Sequence, residues 1–258
     1  MKGLIIKDLM CLRKQRVTFC FTVVAVIVLS VMFVLSAKYG NIALANQEMM
    51  VENGMSEVDV KNLSTNALIL FMILPIAMVG DVSAIIVADG KAGFAKVSSA
   101  LPVSIPKRVL AKYITIISMF GIGVIIDIII SFVLSLLTDI ISFREFFGII
   151  IAVASIMFIY GALTIVFSYL FGYGKESYGQ MVSIISIALG VILIKYKTIK
   201  EIFTLSVANS GTGDINFMND FMNFLKYKSY ILLAIAVVVA IVSYIATVNI
   251  AKRKRGII

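Results

Sequence analysis

Histidine is absent from this chain of 258 residues. That absence excludes zinc-protease motifs, and it excludes any Ser-His or Cys-His nucleophile, because each needs an imidazole as ligand or base. Only two cysteines occur, Cys11 and Cys20. Two thiols with no histidine make a poor metal site, and no disulfide is expected between them. Proline is scarce too: Pro75, Pro102 and Pro106 are the only three. Charged residues make up 14% of the chain, against about 25% in ordinary soluble domains. A phosphate-binding G-x-x-x-x-G-K-[ST] motif is also missing. The nearest look-alike, "FGYGKES" at 171–177, has Glu176 where a magnesium-binding hydroxyl belongs, and it joins two apolar runs rather than a strand and a helix. No nucleotide or metal is therefore expected to bind this chain.

What is present is apolar surface. Hydrophobic residues make up 61% of the sequence and the mean hydropathy is +1.06. Residues 17–36 run for 20 positions without a charge, and about 20 apolar residues cross a hydrocarbon core about 30 Å thick. Several such runs make this a polytopic membrane protein. The first run is longer than a signal-peptide core and no small-x-small cleavage site follows it cleanly, so it reads as a span.

Six spans are expected, at about 17–36, 66–88, 109–137, 146–171, 178–194 and 230–250. The third has 29 residues and could reach about 43 Å, so it projects from the membrane or tilts. Pro75 predicts a kink within the second. Charge orients the stack. Lys2, Lys7, Arg13, Lys14 and Arg16 precede the first span, and Lys91, Lys96, Lys107, Arg108 and Lys112 lie between or at the ends of the second and third. Lys175 and the tail Lys252, Arg253, Lys254 and Arg255 fall on the same side. Only Asp8, Asp89 and Glu176 oppose them there, whereas acids such as Glu48, Glu52, Glu57 and Asp59 gather on the other side. The positive-inside rule then places both termini in the cytoplasm. The net charge of +9 is thus an orientation signal and a contact for lipid headgroups; it is not a nucleic-acid footprint, because short segments share it with no folded domain between them.

The loops carry more specific patterns. In "MKGLIIKDLMCLRKQ", Leu4, Ile5, Leu9 and Leu12 recur near helical spacing, with Lys7, Asp8, Arg13 and Lys14 largely on other faces. This predicts an amphipathic helix over 1–16 lying in the inner interface; a plain charged flank to a longer first span is the alternative. Within the outer loop 195–229, "INFMNDFMNFLKYK" spaces Phe217, Phe221, Phe224 and Leu225 for a second interfacial helix or for loop packing. After the second span, "DGKAGFAKVSSALPVS" turns at Asp89-Gly90 and predicts a short helix presenting Phe94, Val97 and Leu101, ended by Pro102. Ser104 then caps a basic helix with Pro106 just inside it. A short bracketed helix with apolar residues among lysines suits docking into a partner; a basic loop against headgroups would not need Phe94 or two prolines.

"KGLIIKDL" near the N-terminus, six spans, and "DGKAGFAKVSSALPVSIPKRVLAKY" at 89–113 together resemble the small six-span permeases of the ABC-2 transporter family. The specific part is about 25 residues long, and it departs from the family in having Gly90 where a second acid is commoner after Asp89. The resemblance implies an all-α membrane protein: one permease domain over 1–258, with an interfacial elbow helix at 1–16 and a cytoplasmic coupling helix at 89–105 between spans two and three. It implies that Asp89, Lys91, Phe94, Lys96, Val97, Leu101 and Pro102 contact an ABC ATPase subunit. Two ATPase copies would bind ATP and magnesium, and a second permease copy or paralogue would complete the assembly in a bacterial plasma membrane. Family members include exporters of amphipathic peptides such as phenol-soluble modulins, which suggests peptide export. An ion-coupled secondary transporter, or a membrane immunity or assembly protein without transport, remain the other readings.

Two acids lie inside expected spans. Asp81 sits about two turns from Asp89 and could reach the inner interface. Asp127 heads a line with Gly123, Ser131 and Ser135 that would border either a transport pathway or a helix seam. In the fifth span Gly179, Ser183, Ser186 and Gly190 make a small-residue stripe, expected to serve close packing. "GTGD" at 211–214 matches an intramembrane-protease motif in letters only, since it falls in a polar loop.

Overall fold

The computed structural model describes residues 2–39, 85, 86, 89, 103–137, 143–172, 175–194 and 229–254. Most of the expected second span, Asp81, the 90–102 part of the coupling segment and the outer loop's aromatic stretch lie outside the described residues. The described chain is helical. Its longer elements are α1 (Lys2–Cys11), α2 (Arg13–Tyr39), α3 (Ile105–Leu137), α4 (Phe143–Phe171), α5 (Glu176–Ile194) and α6 (Ser229–Lys254). Ile85, Ile86 and Asp89 are helical as well. Among the described residues, three helices are long and apolar enough to cross a membrane, over Ile105–Leu136, Phe143–Phe171 and Ser229–Arg253, and shorter apolar helices cover Val17–Met32 and Ser177–Gly190.

Local chemistry explains the ends. The Ser104 carbonyl accepts the first α3 bond from the Arg108 amide at 3.2 Å, and Pro106 sits in the opening turn, where a missing N–H costs least. Lys107, Arg108 and Lys112 occupy the first turns of α3. At about 1.5 Å per residue its 33 residues reach about 50 Å, so these turns extend beyond a hydrocarbon core. α4 stops at Phe171 because Gly172 adopts φ 87°, a left-handed conformation, while its amide still bonds the Ser168 carbonyl at 3.0 Å.

α4 is the central helix, packed against α3, α5 and α6. Its buried positions include Gly148, Ala152, Ser155, Gly161, Ala162 and Ser168, small residues that let neighbouring backbones come close. Larger side chains fill the spaces between: Ile149, Ile150 and Ile165 of α4 join Val109, Ile116, Phe120 and Leu134 of α3 in one core. Edge-to-face rings tie α3 to α4, Phe120 on Phe158 at 6.0 Å and Phe132 on Phe143 at 5.6 Å. These pairs run in opposite directions along the two helices, which are therefore antiparallel. α6 meets α3 through Tyr113, whose hydroxyl donates to Ser243 Oγ at 2.9 Å and lies 3.4 Å from Thr247 Oγ1. The N-terminus of α3, the C-termini of α4 and α6 and the start of α5 consequently share one end of the bundle. Exposed Lys107, Lys175, Lys252 and Arg253 make it the basic end.

α1 packs on α3 at that end. Leu9 and Leu12 enter the core, but the burial of α1 differs from the simple amphipathic reading of its sequence. Asp8 is 2% exposed, whereas Ile6 and Met10 are 52% and 66% exposed. The charged side of α1 turns inward because it finds charged partners there.

Candidate functional site: a buried charge cluster at the basic end

Asp89 is the first residue of the expected coupling segment, and it is 4% exposed. One turn earlier Ile85 and Ile86 are buried to 1% and 2%, so the helical end of this segment is held in the core by its apolar face. Each oxygen of the Asp89 carboxylate takes one lysine. Lys7 Nζ of α1 donates to Oδ1 at 2.5 Å, and Lys112 Nζ of α3 donates to Oδ2. Lys7 Nζ also lies 2.9 Å from Asp8 Oδ1. Lys112 is 6% exposed, and the side chain of Lys7 is 27% exposed.

Two lysines and two aspartates make this quartet formally neutral, which allows Asp8, Asp89 and Lys112 to be buried while Lys7 stays partly exposed. Tyr169, near the end of α4, stands within electrostatic reach of both acids and of Arg108 of α3. The net stability of such a cluster is small, since desolvation opposes the attraction. Removal of one partner is another matter: an uncompensated buried charge costs about 3–5 kcal/mol. The cluster therefore enforces a geometry more than it adds stability. It joins residues separated by 82 and 23 positions in the chain.

The remaining expected site residues are placed unevenly. Lys91, Phe94, Lys96, Val97, Leu101, Pro102 and Asp81 lie outside the described residues. On α3, Asp127 is 1% exposed and Ser131 is fully buried, with Gly123 buried on the same side. Their line faces the helix bundle. Ser135, farther along, is half-buried and its hydroxyl donates to the Phe132 carbonyl at 2.9 Å. α4 contributes buried hydroxyls at Thr164 and Ser168, which with Ser131 have no hydrogen-bond partner among the described residues.

The α5 stripe divides in two. Gly179 is pressed on α4: a Cβ there would stand 2.9 Å from Ser168 Oγ and 3.0 Å from the Ser168 amide nitrogen. Ser183 follows, fully buried, with its hydroxyl donating to the Gly179 carbonyl at 2.7 Å. Gly190 meets nothing within 4 Å among the described residues. Close packing is thus a property of the stripe's first turns.

Sequence reasoning singled out Asp89 but not Lys7, Asp8 or Lys112 as its partners. They entered only as orientation charges and as polar faces, and no local spacing links them. An acid at the end of an apolar run, with basic residues in two other segments of the same side, is the one signal that could have raised the pairing.

The family model described as "ABC-2 family transporter protein" matches residues 55–252. No curated protein and no solved structure matches the chain. The match takes in Asp89, Lys112 and helices α3 to α5 whole, with all but the last two residues of α6, and extends over most of the sequence. A helical chain with three membrane-length helices, matched over that extent, belongs to the ABC-2 family of transporter proteins.

Proposed function

We propose that the chain is the membrane-spanning permease subunit of an ATP-driven exporter, with ATP and magnesium held by a separate ABC ATPase subunit. The family match over residues 55–252 carries this reading. In it the protein crosses a bacterial plasma membrane six times with both termini inside, and residues 89–105 dock into the ATPase. A second permease copy or a paralogue supplies the other half of the pathway, and two ATPases complete the assembly. Closure of the ATPases on ATP pushes the docked segment and reorients the second and third spans. The cargo leaves outward between the halves; an amphipathic peptide is the class that the family likeness favours.

Support comes from the basic end of the bundle, where the described start of the 89–105 segment is fixed against α1 and α3. The test is co-expression with a candidate ABC ATPase, followed by purification and reconstitution in vesicles containing anionic lipid. The expected result is a stoichiometric complex whose ATP hydrolysis rises when an amphipathic cationic peptide is added. A chain that purifies alone and moves ions down a gradient without ATP would refute the reading.

A further inference from the structure

One carboxylate gathers three segments that are far apart in the sequence. Asp89 is reached by Lys7 from α1 and by Lys112 from α3, and it follows directly on Ile85 and Ile86 in the helical end of its own segment. Lys112 lies seven residues into α3, about two turns beyond Ile105. Asp89 and Ile105 are the two ends of the 89–105 segment, and the Asp89–Lys112 pair links its described start to the helix that begins at its far end. The same carboxylate takes α1 through its other oxygen.

The surroundings make the clasp stiff. Asp89 and Lys112 are 4% and 6% exposed, so their pair is held largely out of water, while Lys7 keeps partial access to solvent. In such a setting a charge that leaves its partner loses much more than it would at a surface. The groups stay together unless the whole base moves.

We infer that Asp89 is a positioning residue. It fastens the base of the 89–105 segment to α3 and to α1, so that a push on the segment is delivered to α1 as well as to the spans. Asp89 acts within the chain, and the ATPase-facing surface belongs to residues beyond it. This inference rests on the reading of the chain as an ATPase-driven permease. It assigns to α1 a moving part in that cycle, transmitted through Lys7.

The test uses a reporter on α1. Met10 is 66% exposed and takes no part in the cluster. In a parent chain carrying Met10→Cys, Cys11→Ser and Cys20→Ser, a thiol-reactive fluorophore is attached and the complex with the ATPase is reconstituted. Addition of a non-hydrolysable ATP analogue is expected to change the emission. In Lys7→Gln, the ATPase remains bound, but the emission change is lost or falls by about tenfold, an ordinary size for coupling between two sites. Asp89→Asn loses the emission change too.

The outcomes separate the two ideas. A parent whose ATPase does not associate at all defeats the permease reading. A parent that responds, with a Lys7→Gln variant responding equally, defeats the inference alone. Loss of ATPase association in Asp89→Asn, together with an unaffected Lys7→Gln, would also overturn it, by making Asp89 a direct contact. Should Asp89→Asn fail to reach the membrane, Lys7→Gln decides the matter, because it leaves the Asp89–Lys112 pair in place.

Discussion

Replacing Gly179 by alanine adds one methyl group at a close approach between α4 and α5. The new Cβ would stand 2.9 Å from Ser168 Oγ, 3.0 Å from its amide nitrogen and 3.3 Å from its Cα. The hydroxyl can turn away, but the nitrogen and Cα belong to the backbone of the central helix. Relief therefore requires α5 to move off α4, and overpacking of this kind costs about 1–3 kcal/mol. Alanine returns up to about 1 kcal/mol in helix propensity. The expected balance is a loss of up to about 2 kcal/mol, visible as a lower midpoint in thermal unfolding of the purified protein in detergent.

Gly190 on the same helix supplies the control. A Cβ there meets nothing within 4 Å among the described residues, so Gly190→Ala keeps the propensity gain without the clash and should match or exceed the parent. Ser168→Gly combined with Gly179→Ala removes the hydroxyl but not the backbone contacts, so it should recover only part of the loss. Equal unfolding midpoints for Gly179→Ala and Gly190→Ala would refute the close approach as the reason for glycine at 179.

Three further outcomes are expected. Phe94→Asp or Leu101→Asp should insert and express normally yet abolish permease-stimulated ATP hydrolysis, since an unpaired charge in a docking cleft costs several kcal/mol; parent-like turnover in both would remove residues 89–105 from the ATPase contact. A cysteine at Glu52 or Asn216 should react with an impermeant thiol reagent outside intact cells while one at Ser98 stays unlabelled, and external labelling at Ser98 would reverse the orientation. Asp127→Asn keeps size and one acceptor while removing a charge from a site 1% exposed, so elution in size exclusion should be unchanged and the unfolding midpoint equal or higher; a large fall would mean that the charge itself holds α3 in place.

The sequence by itself determined the membrane class, the helical content and the direction in which α3 reads its punctuation. Hydropathy and helix-ending chemistry are local: an apolar run, a serine with a proline two residues on, a glycine after Phe171. For that reason α3, α4 and α6 enclose the expected spans at 109–137, 146–171 and 230–250. The inward side of the Asp127 line was partly legible too, because a carboxylate in an apolar helix has a strong reason to face other helices. Tertiary structure alone decided which residues Asp89 meets. Its partners lie 82 and 23 positions away, and neither separation leaves a periodic trace in the sequence. The same encounter modified α1, whose pattern suggested charges facing outward: Leu9 and Leu12 pack inward as expected, but Asp8 is buried with them. Once Asp89 arrives beside it, Asp8 can be buried as part of a neutral quartet while Lys7 stays partly exposed, and Ile6 and Met10 lie on the exposed side. A charge's cost of burial depends on who meets it there, and only the assembled fold contains that fact.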